Sequence, residues 1–287
     1  MHAYLVGLIG SGTAVSLTPA MHMAEARSLG LEYIYRAIDL DLLGIAPTEV
    51  GALVRAARAL GFDALNITHP CKQLVIEHLD RLDPVAARVS AVNTVIFEAG
   101  EAVGYNTDST GFATAFATGL PGAAVGEVVQ LGAGGAGAAV ADALLSHGVE
   151  HLTLVDVDDQ RASDLAAELT ARFPGARVQS SHPDKLSVLL PETDGLVHCT
   201  PTGMAQHPGL PLDPELLHPH LWVSDIVYRP LQTVLLGAAR DLGCRTLDGG
   251  FMAVHQAADT LQLVTGLIPD TERMSANFRS LVESEPA

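Results

Sequence analysis

Cysteine, aromatic residues and positive charge are all scarce in this 287-residue chain. Its three cysteines, Cys71, Cys199 and Cys244, are widely spaced and form no Cys-x-x-Cys pair. That excludes a disulfide framework and a thiolate zinc site, and it fits a reducing compartment. Lys and Arg together number 16 against 33 Asp and Glu, for a net charge of −17. With no basic run, nucleic acid and anionic membrane surfaces are poor partners. The opening MHAYLVGLIGSG lacks a charged segment ahead of a long apolar one, so no secretory signal is expected. No apolar run approaches the ~20 residues that span a bilayer, and the expectation is a soluble, cytoplasmic protein. His218 and His220 lie in a Pro-containing loop without accompanying ligands, so no metal is expected.

What is present in quantity is glycine, 27 residues, within an Ala/Val/Leu-rich α/β composition. The stretch VVQLGAGGAGAAVADALL, Val128 to Leu145, organises the rest. An apolar strand runs into Gly132, Ala133, Gly134, Gly135, Ala136 and Gly137, and a helical pattern follows without a break. The spacing G-x-G-x-x-G gives a tight turn, close approach of backbone to a pyrophosphate, and close helix–strand packing. A pyrophosphate would lie on the free N–H groups at the positive end of the helix. A second strand ends in Asp156, 19 residues past the last glycine, where a carboxylate accepts from a ribose 2′-OH and repels a 2′-phosphate. Asp158 and Asp159 add negative charge and Arg161 is the only nearby base, which favours NAD over NADP. Asp159 also suits the N-cap of the next helix.

Around this stretch the pattern predicts an α/β protein of two domains. An N-terminal open α/β domain covers residues 1–107 and is completed by 248–287. A Rossmann dinucleotide-binding domain covers 108–247. In the first half, strands are expected at Tyr4–Ile9, Glu32–Ile38 and Phe62–Ile67. Helices are expected at Pro19–Leu29 (Thr18 as N-cap), at Pro47–Leu60 and from Pro70, and a hairpin at the Ala99-Gly100 turn. Gly119-Leu120-Pro121-Gly122 reads as a linker. Strand and helix then alternate in a doubly wound pattern over 127–131, 135–147, 151–156, 159–172, 193–198, 222–227 and 231–240. Two last helices, near 251–265 and 271–282, return to the first domain.

Polar motifs in the first half fall at strand ends, where open α/β sheets bind ligands. Ser16 and Thr18 put two hydroxyls beside a helix start, a place that can hold a carboxylate, although Thr18 and Thr68 each suit a plain cap. Lys72 stands in the first turn of a helix, which disfavours a cation, in a chain poor in lysine. Asp108 could act in a site or cap the helix that follows it. Gln256 interrupts the apolar face of its helix, where a buried amide needs partners from a ligand or from a nearby carbonyl.

Eight motifs in order resemble the shikimate/quinate dehydrogenase family over nearly the whole chain: SLTPAMH (16–22), NITHPCK (66–72), AVNT (91–94), GYNTD (104–108), GAGGAG (132–137), TPTGM (200–204), DIVYRP (225–230) and DGGFMAVHQA (248–257). The resemblance implies reversible hydride transfer between a nicotinamide cofactor and the ring alcohol of a polyhydroxy cyclic carboxylate such as quinate or shikimate. It implies that the 1–107 domain is the substrate-binding one, that Ser16 and Thr18 bind the carboxylate, and that Thr68, Asn93, Asp108 and Gln256 hold ring hydroxyls. Lys72 becomes the proton-transfer residue, held with Asp108, and Tyr228 lines the same cleft. Thr200, Gly250 and Met252 fall on the cofactor side. Three positions depart from the commonest family pattern. Thr18 replaces a Ser, His198 replaces an Asn, and Asp156 replaces the Asn-Arg-Thr type run of NADP-using members. Thr18 and Asp156 are similar to the NAD-dependent quinate/shikimate branch. Alternatives are an NADP-dependent biosynthetic dehydrogenase, a dehydrogenase of amino-substituted substrates, and a non-catalytic ligand sensor, with the chain acting as a monomer or homodimer.

Overall fold

The computed structural model describes residues 3–284. The chain divides into two compact units, one built from residues up to Thr110 together with those from Val254 onward, the other from Gly111–Ala253. The division runs inside two helices, Thr107–Gly119 and Gly249–Thr265, and not through the loops next to 107 and 248. The predicted linker at 119–122 is corrected. It lies within the second unit, with Leu120 2% exposed in the core and Gly119 tight against Leu247.

The first unit holds strands β1 (Ala3–Gly10), β2 (Glu32–Asp39), β3 (Ala64–Ile67), β4 (Arg81–Leu82), β5 (Thr94–Glu98) and β6 (Glu101–Tyr105) in the order β2-β1-β3-β5-β6-β4. The pairings β1–β2 and β1–β3 are parallel, whereas β5 runs antiparallel to β3 and β6. The β5–β6 hairpin turns at Ala99 and Gly100, both with positive φ, the backbone that a two-residue loop between twisted strands requires. Val6, Ile9, Leu65, Ile67, Val92 and Val95 are essentially inaccessible, so the central strands are apolar on both faces and polar only at their ends. The helix Thr271–Glu283 returns to this unit. Arg273 grips the buried Glu25 of the helix Thr18–Ser28 at 2.6 and 2.8 Å, and the Asp270 N–H donates to the same carboxylate.

The second unit is a parallel sheet of β7 (Glu127–Leu131), β8 (His151–Val155), β9 (Arg177–Ser181), β10 (Gly195–His198), β11 (Trp222–Asp225) and β12 (Arg245–Leu247), ordered β12-β11-β10-β7-β8-β9. The order reverses between β7 and β10, the switch point where ligands bind beyond the carboxyl ends of such strands. Phe112, Phe116, Val140, Leu144, Leu152, Leu154 and Trp222 fill one side of the sheet. Leu190, Leu196, Val223, Leu235 and Leu236 fill the other.

Several expected elements change in detail. The helix expected from Pro70 is one four-residue turn, Cys71–Leu74, too short for the dipole argument made for Lys72. The helix expected at Pro47–Leu60 is a 3-10 turn leading into Val50–Ala59. Thr18 is already helical, with Leu17 in the cap position. It is the Ser16 hydroxyl that accepts from the Thr18 N–H, at 3.3 Å. The cap of the helix Asp159–Arg172 is Asp158, not Asp159.

Candidate active site

In the first unit, three of the polar motifs are laced together by main-chain bonds. The Ile67 N–H donates to Asn93, the Val92 N–H to the Lys72 carbonyl at 2.8 Å, and the Asn93 N–H to Tyr105. The Asn106 amide adds a bond to the Ala91 carbonyl at 2.9 Å. Segments distant in sequence are thereby held at one end of the sheet. Lys72 Nζ lies 2.6 Å from Asp108 Oδ2, with side chains 18% and 10% exposed. The helix of Asp108 is capped by Asn106, whose Oδ1 accepts from the Ser109 N–H at 3.0 Å. Capping is thus done by a neighbour, and the Asp108 carboxylate is left for the ammonium.

Asn93 is 3% exposed, with its oxygen taking the Thr107 N–H at 2.8 Å and its amide nitrogen donating to the Thr107 hydroxyl at 2.8 Å. Thr68 is tied to β1 by its N–H bond to Ile9, and a Cβ on Gly10 would fall 2.3 Å from the Thr68 methyl. The loop leading to Ser16 and Thr18 is held by Asp39, which accepts from the N–H groups of Ala14, Asp41 and Leu42. The Ala14 N–H foremost holds the Asp39 carboxyl below its usual range, against the cost of burial. Gln256 stands one turn before Thr260, so the two project from the same face of the helix Gly249–Thr265.

Sequence reasoning missed Asp39, Asn66 and Thr260. Asn66 receives the Tyr35 hydroxyl at 2.6 Å and donates to the Asn93 carbonyl and the Thr94 hydroxyl. Thr260 meets Thr94 and Thr107 at 3.2 and 3.1 Å. Its one sequence signal was the four-residue offset from Gln256.

In the second unit the glycine turn has the geometry its spacing required. Gly132 has φ +100°, and a Cβ there would lie 2.7 Å from the Cys199 carbonyl oxygen. A Cβ on Gly137 would lie 2.2 Å from the Gly132 oxygen. Gln130 pins the turn by donating to the carbonyls of both glycines at 2.9 Å. Gly134 is the exposed residue before the helix Gly135–His147, followed by half-buried Gly135 and Ala136. The first-turn N–H groups of such a helix lack intrahelical partners, and no side chain fills the space in front of Gly134 and Gly135. These residues fit a dinucleotide pyrophosphate.

Asp156 is 6% exposed and fully engaged. It accepts from Ala133 N–H at 2.7 Å, Asp158 N–H at 3.0 Å, and Arg161 at 3.2 and 2.6 Å. Burial opposes its charge, yet the Arg161 and main-chain hydrogen bonds outweigh burial and hold the carboxyl below its usual range. Across the switch point, His198 and Asp225 pair at the ends of β10 and β11, with Nδ1 2.9 Å from Oδ1. A carboxylate only accepts, so Nδ1 bears the proton. His198 Nε2 lies 2.5 Å from the Thr200 hydroxyl, and Asp225 also takes the Val227 N–H and the Thr233 hydroxyl. The residue that replaces the usual Asn therefore fixes Thr200 beside Gly132. Tyr228 follows β11 and is half-buried. Gly250 is buried, donating its N–H to Asp248, and Met252 packs in the unit's core.

Comparison with known proteins now bears on this geometry. A family model described as the shikimate dehydrogenase substrate binding domain matches residues 8–95, and one described as the saccharopine dehydrogenase NADP binding domain matches 128–206. The chain is 61% identical over 279 residues to a shikimate dehydrogenase (NADP(+)) of Streptomyces avermitilis, covering 97% of this chain and 96% of that one. It belongs to the shikimate/quinate dehydrogenase family. It is accordingly an oxidoreductase with a dinucleotide-binding domain. A quinate/shikimate dehydrogenase (NAD(+)) of Corynebacterium efficiens is 48% identical over 278 residues, 96% of this chain and 98% of that one. The solved quinate dehydrogenase from Corynebacterium glutamicum in complex with NAD superposes with a TM-score of 0.92 at 45% identity, covering 97% of this chain and 99% of the other. Among the described residues no helix is long and apolar enough to cross a membrane.

Proposed function

We propose that this chain oxidises quinate and shikimate at a ring alcohol, reversibly, with NAD as the cofactor and Lys72 as the proton-transfer residue. The observation that carries the reading is the Lys72–Asp108 pair at 2.6 Å, largely shielded from water and tied through main-chain bonds to Asn93. The dinucleotide, when bound, supplies the hydride acceptor. As the neutral amine, Lys72 Nζ takes the hydroxyl proton during oxidation and becomes the ammonium, which returns that proton during reduction. Asp108 orients Lys72 and accepts from a ring hydroxyl. Ser16 and Thr18 receive the substrate carboxylate, Thr68, Asn93 and Gln256 bind the other hydroxyls, and Tyr228 assists substrate binding. Gly132 to Gly137 cradle the pyrophosphate, while Thr200, Gly250 and Met252 serve the nicotinamide side. The compartment is cytoplasmic, in keeping with three free thiols.

Asp156 supports NAD, because its charge opposes a 2′-phosphate. Arg161 supports the NADP reading: its guanidinium is half exposed and could turn from Asp156 to a phosphate. The proton-transfer role is tested by Lys72→Ala. The expected result is a kcat loss of roughly 10²–10⁴-fold with KM for quinate little changed. A loss carried by KM alone would refute the role.

A further inference from the structure

Asn93, Thr94, Thr107 and Thr260 are each no more than 3% exposed, and their side chains bond to one another. Asn93 Oδ1 accepts from the Thr107 N–H at 2.8 Å and from the Thr94 hydroxyl at 3.1 Å. A backbone N–H only donates, which fixes the end of the amide that is oxygen. The Asn93 amide nitrogen spends one proton on Thr107 Oγ1 at 2.8 Å. Thr107 Oγ1 also meets Thr260 Oγ1 at 3.1 Å, where either hydroxyl can donate. Thr260 donates to the Gln256 carbonyl at 3.0 Å and meets the Thr94 hydroxyl at 3.2 Å. Thr94, which also receives an Asn66 N–H at 2.9 Å, donates to Asn93. The four side chains thus make a closed ring of contacts, which leaves the second N–H of Asn93 unspent.

We propose that Thr260 is a positioning residue that closes this ring and fixes Asn93 as a one-proton donor toward a substrate hydroxyl oxygen. The inference rests on the dehydrogenase reading and sharpens its substrate class. Asn93 offers a proton and no lone pair, whereas Asp108 offers lone pairs. A hydroxyl satisfies both kinds of partner. An ammonium in its place only donates and leaves the Asn93 N–H facing another donor. The site therefore selects a ring hydroxyl over an amino group at the position Asn93 reads.

Thr260→Val keeps the shape and removes the hydroxyl. In the full-length protein, KM and the calorimetric Kd for quinate should rise about tenfold, the value of one neutral hydrogen bond. The kcat should stay within about threefold and the Kd for NAD within about twofold. Thr260→Ser should recover wild-type Kd to within about threefold. In an Asn93→Ala background, Thr260→Val should add less than about twofold, because the group it positions is gone. If Thr260→Val does not fold, Thr107→Val opens the same ring one bond away and should give the same rise in Kd. Unchanged quinate binding in the folded variant, a Ser variant as impaired as the Val one, or full multiplicativity with Asn93→Ala would overturn the ring. Calorimetric quinate binding without turnover in the wild type would refute the dehydrogenase reading and leave the ring tested by Kd alone.

Discussion

Lys72–Asp108 in the first unit and Arg161–Asp156 in the second are both ion pairs of 2.6 Å, in different surroundings. The first keeps both partners largely out of water, and its positions come from main-chain bonds among segments far apart in sequence. The second joins a nearly buried carboxylate to a guanidinium that is 46% exposed and lies five residues along the same chain segment. A shielded pair is held in register for chemistry, and removing one partner leaves an uncompensated charge worth about 3–5 kcal/mol. A half-exposed arginine can leave its carboxylate at the cost of a surface pair, about 1 kcal/mol or less. One unit has a fixed pair; the other has a pair able to rearrange.

The sharpest way to break this comparison is Lys72→Ala, which should give the largest loss of kcat. Next in size is the cofactor pair. Asp156→Ala frees Arg161 and should shift the NAD-to-NADP ratio of kcat/KM toward NADP by roughly tenfold or more, ~1.4 kcal/mol. Arg161→Ala should weaken NADP and leave NAD within about threefold. If both variants keep the wild-type ratio, the pair has no part in cofactor choice.

The smallest effect is on stability. His22 is fully buried, packs edge-on to Tyr35 and reaches the Tyr33 hydroxyl at 3.3 Å. Burial lowers its pKa to about 3 from an ordinary 6.5. Between those values the unfolded chain binds a proton that the folded one refuses. Stability is therefore present in full above about pH 6.5 and falls on acidification at up to about 1.4 kcal/mol per pH unit from this group. Denaturant unfolding of wild type and His22→Phe between pH 7 and 5 checks this. The variant should show the shallower decline, and equal slopes would remove His22 as the cause.

The two units also differ in how far they can be read from sequence. Gly132 to Gly137 lie in a contiguous signature in which strand, turn and helix follow in order, so the fold was visible there and Asp156 followed at the end of the next strand. Lys72 and Asp108 were visible as residues whose types suited chemistry, and as a pair only through the family resemblance, since contacts across 36 positions leave no periodic trace. Thr260 looks like any helical threonine, and Asp39 like a strand end. Their importance arises only when separate segments converge. The strands Arg177–Ser181 and Arg245–Leu247 went unseen because the former is polar and mostly exposed, and the latter spans three residues. Thr18 was misassigned as a cap because the hydroxyl two residues earlier holds its N–H.

Steady-state kinetics of the purified wild type with quinate and shikimate, each paired with NAD and NADP, is the most direct measurement. Turnover of both acids is expected, with kcat/KM for NAD exceeding that for NADP. No turnover in any of the four combinations would contradict the assignment, and preference for NADP would overturn the role given to Asp156.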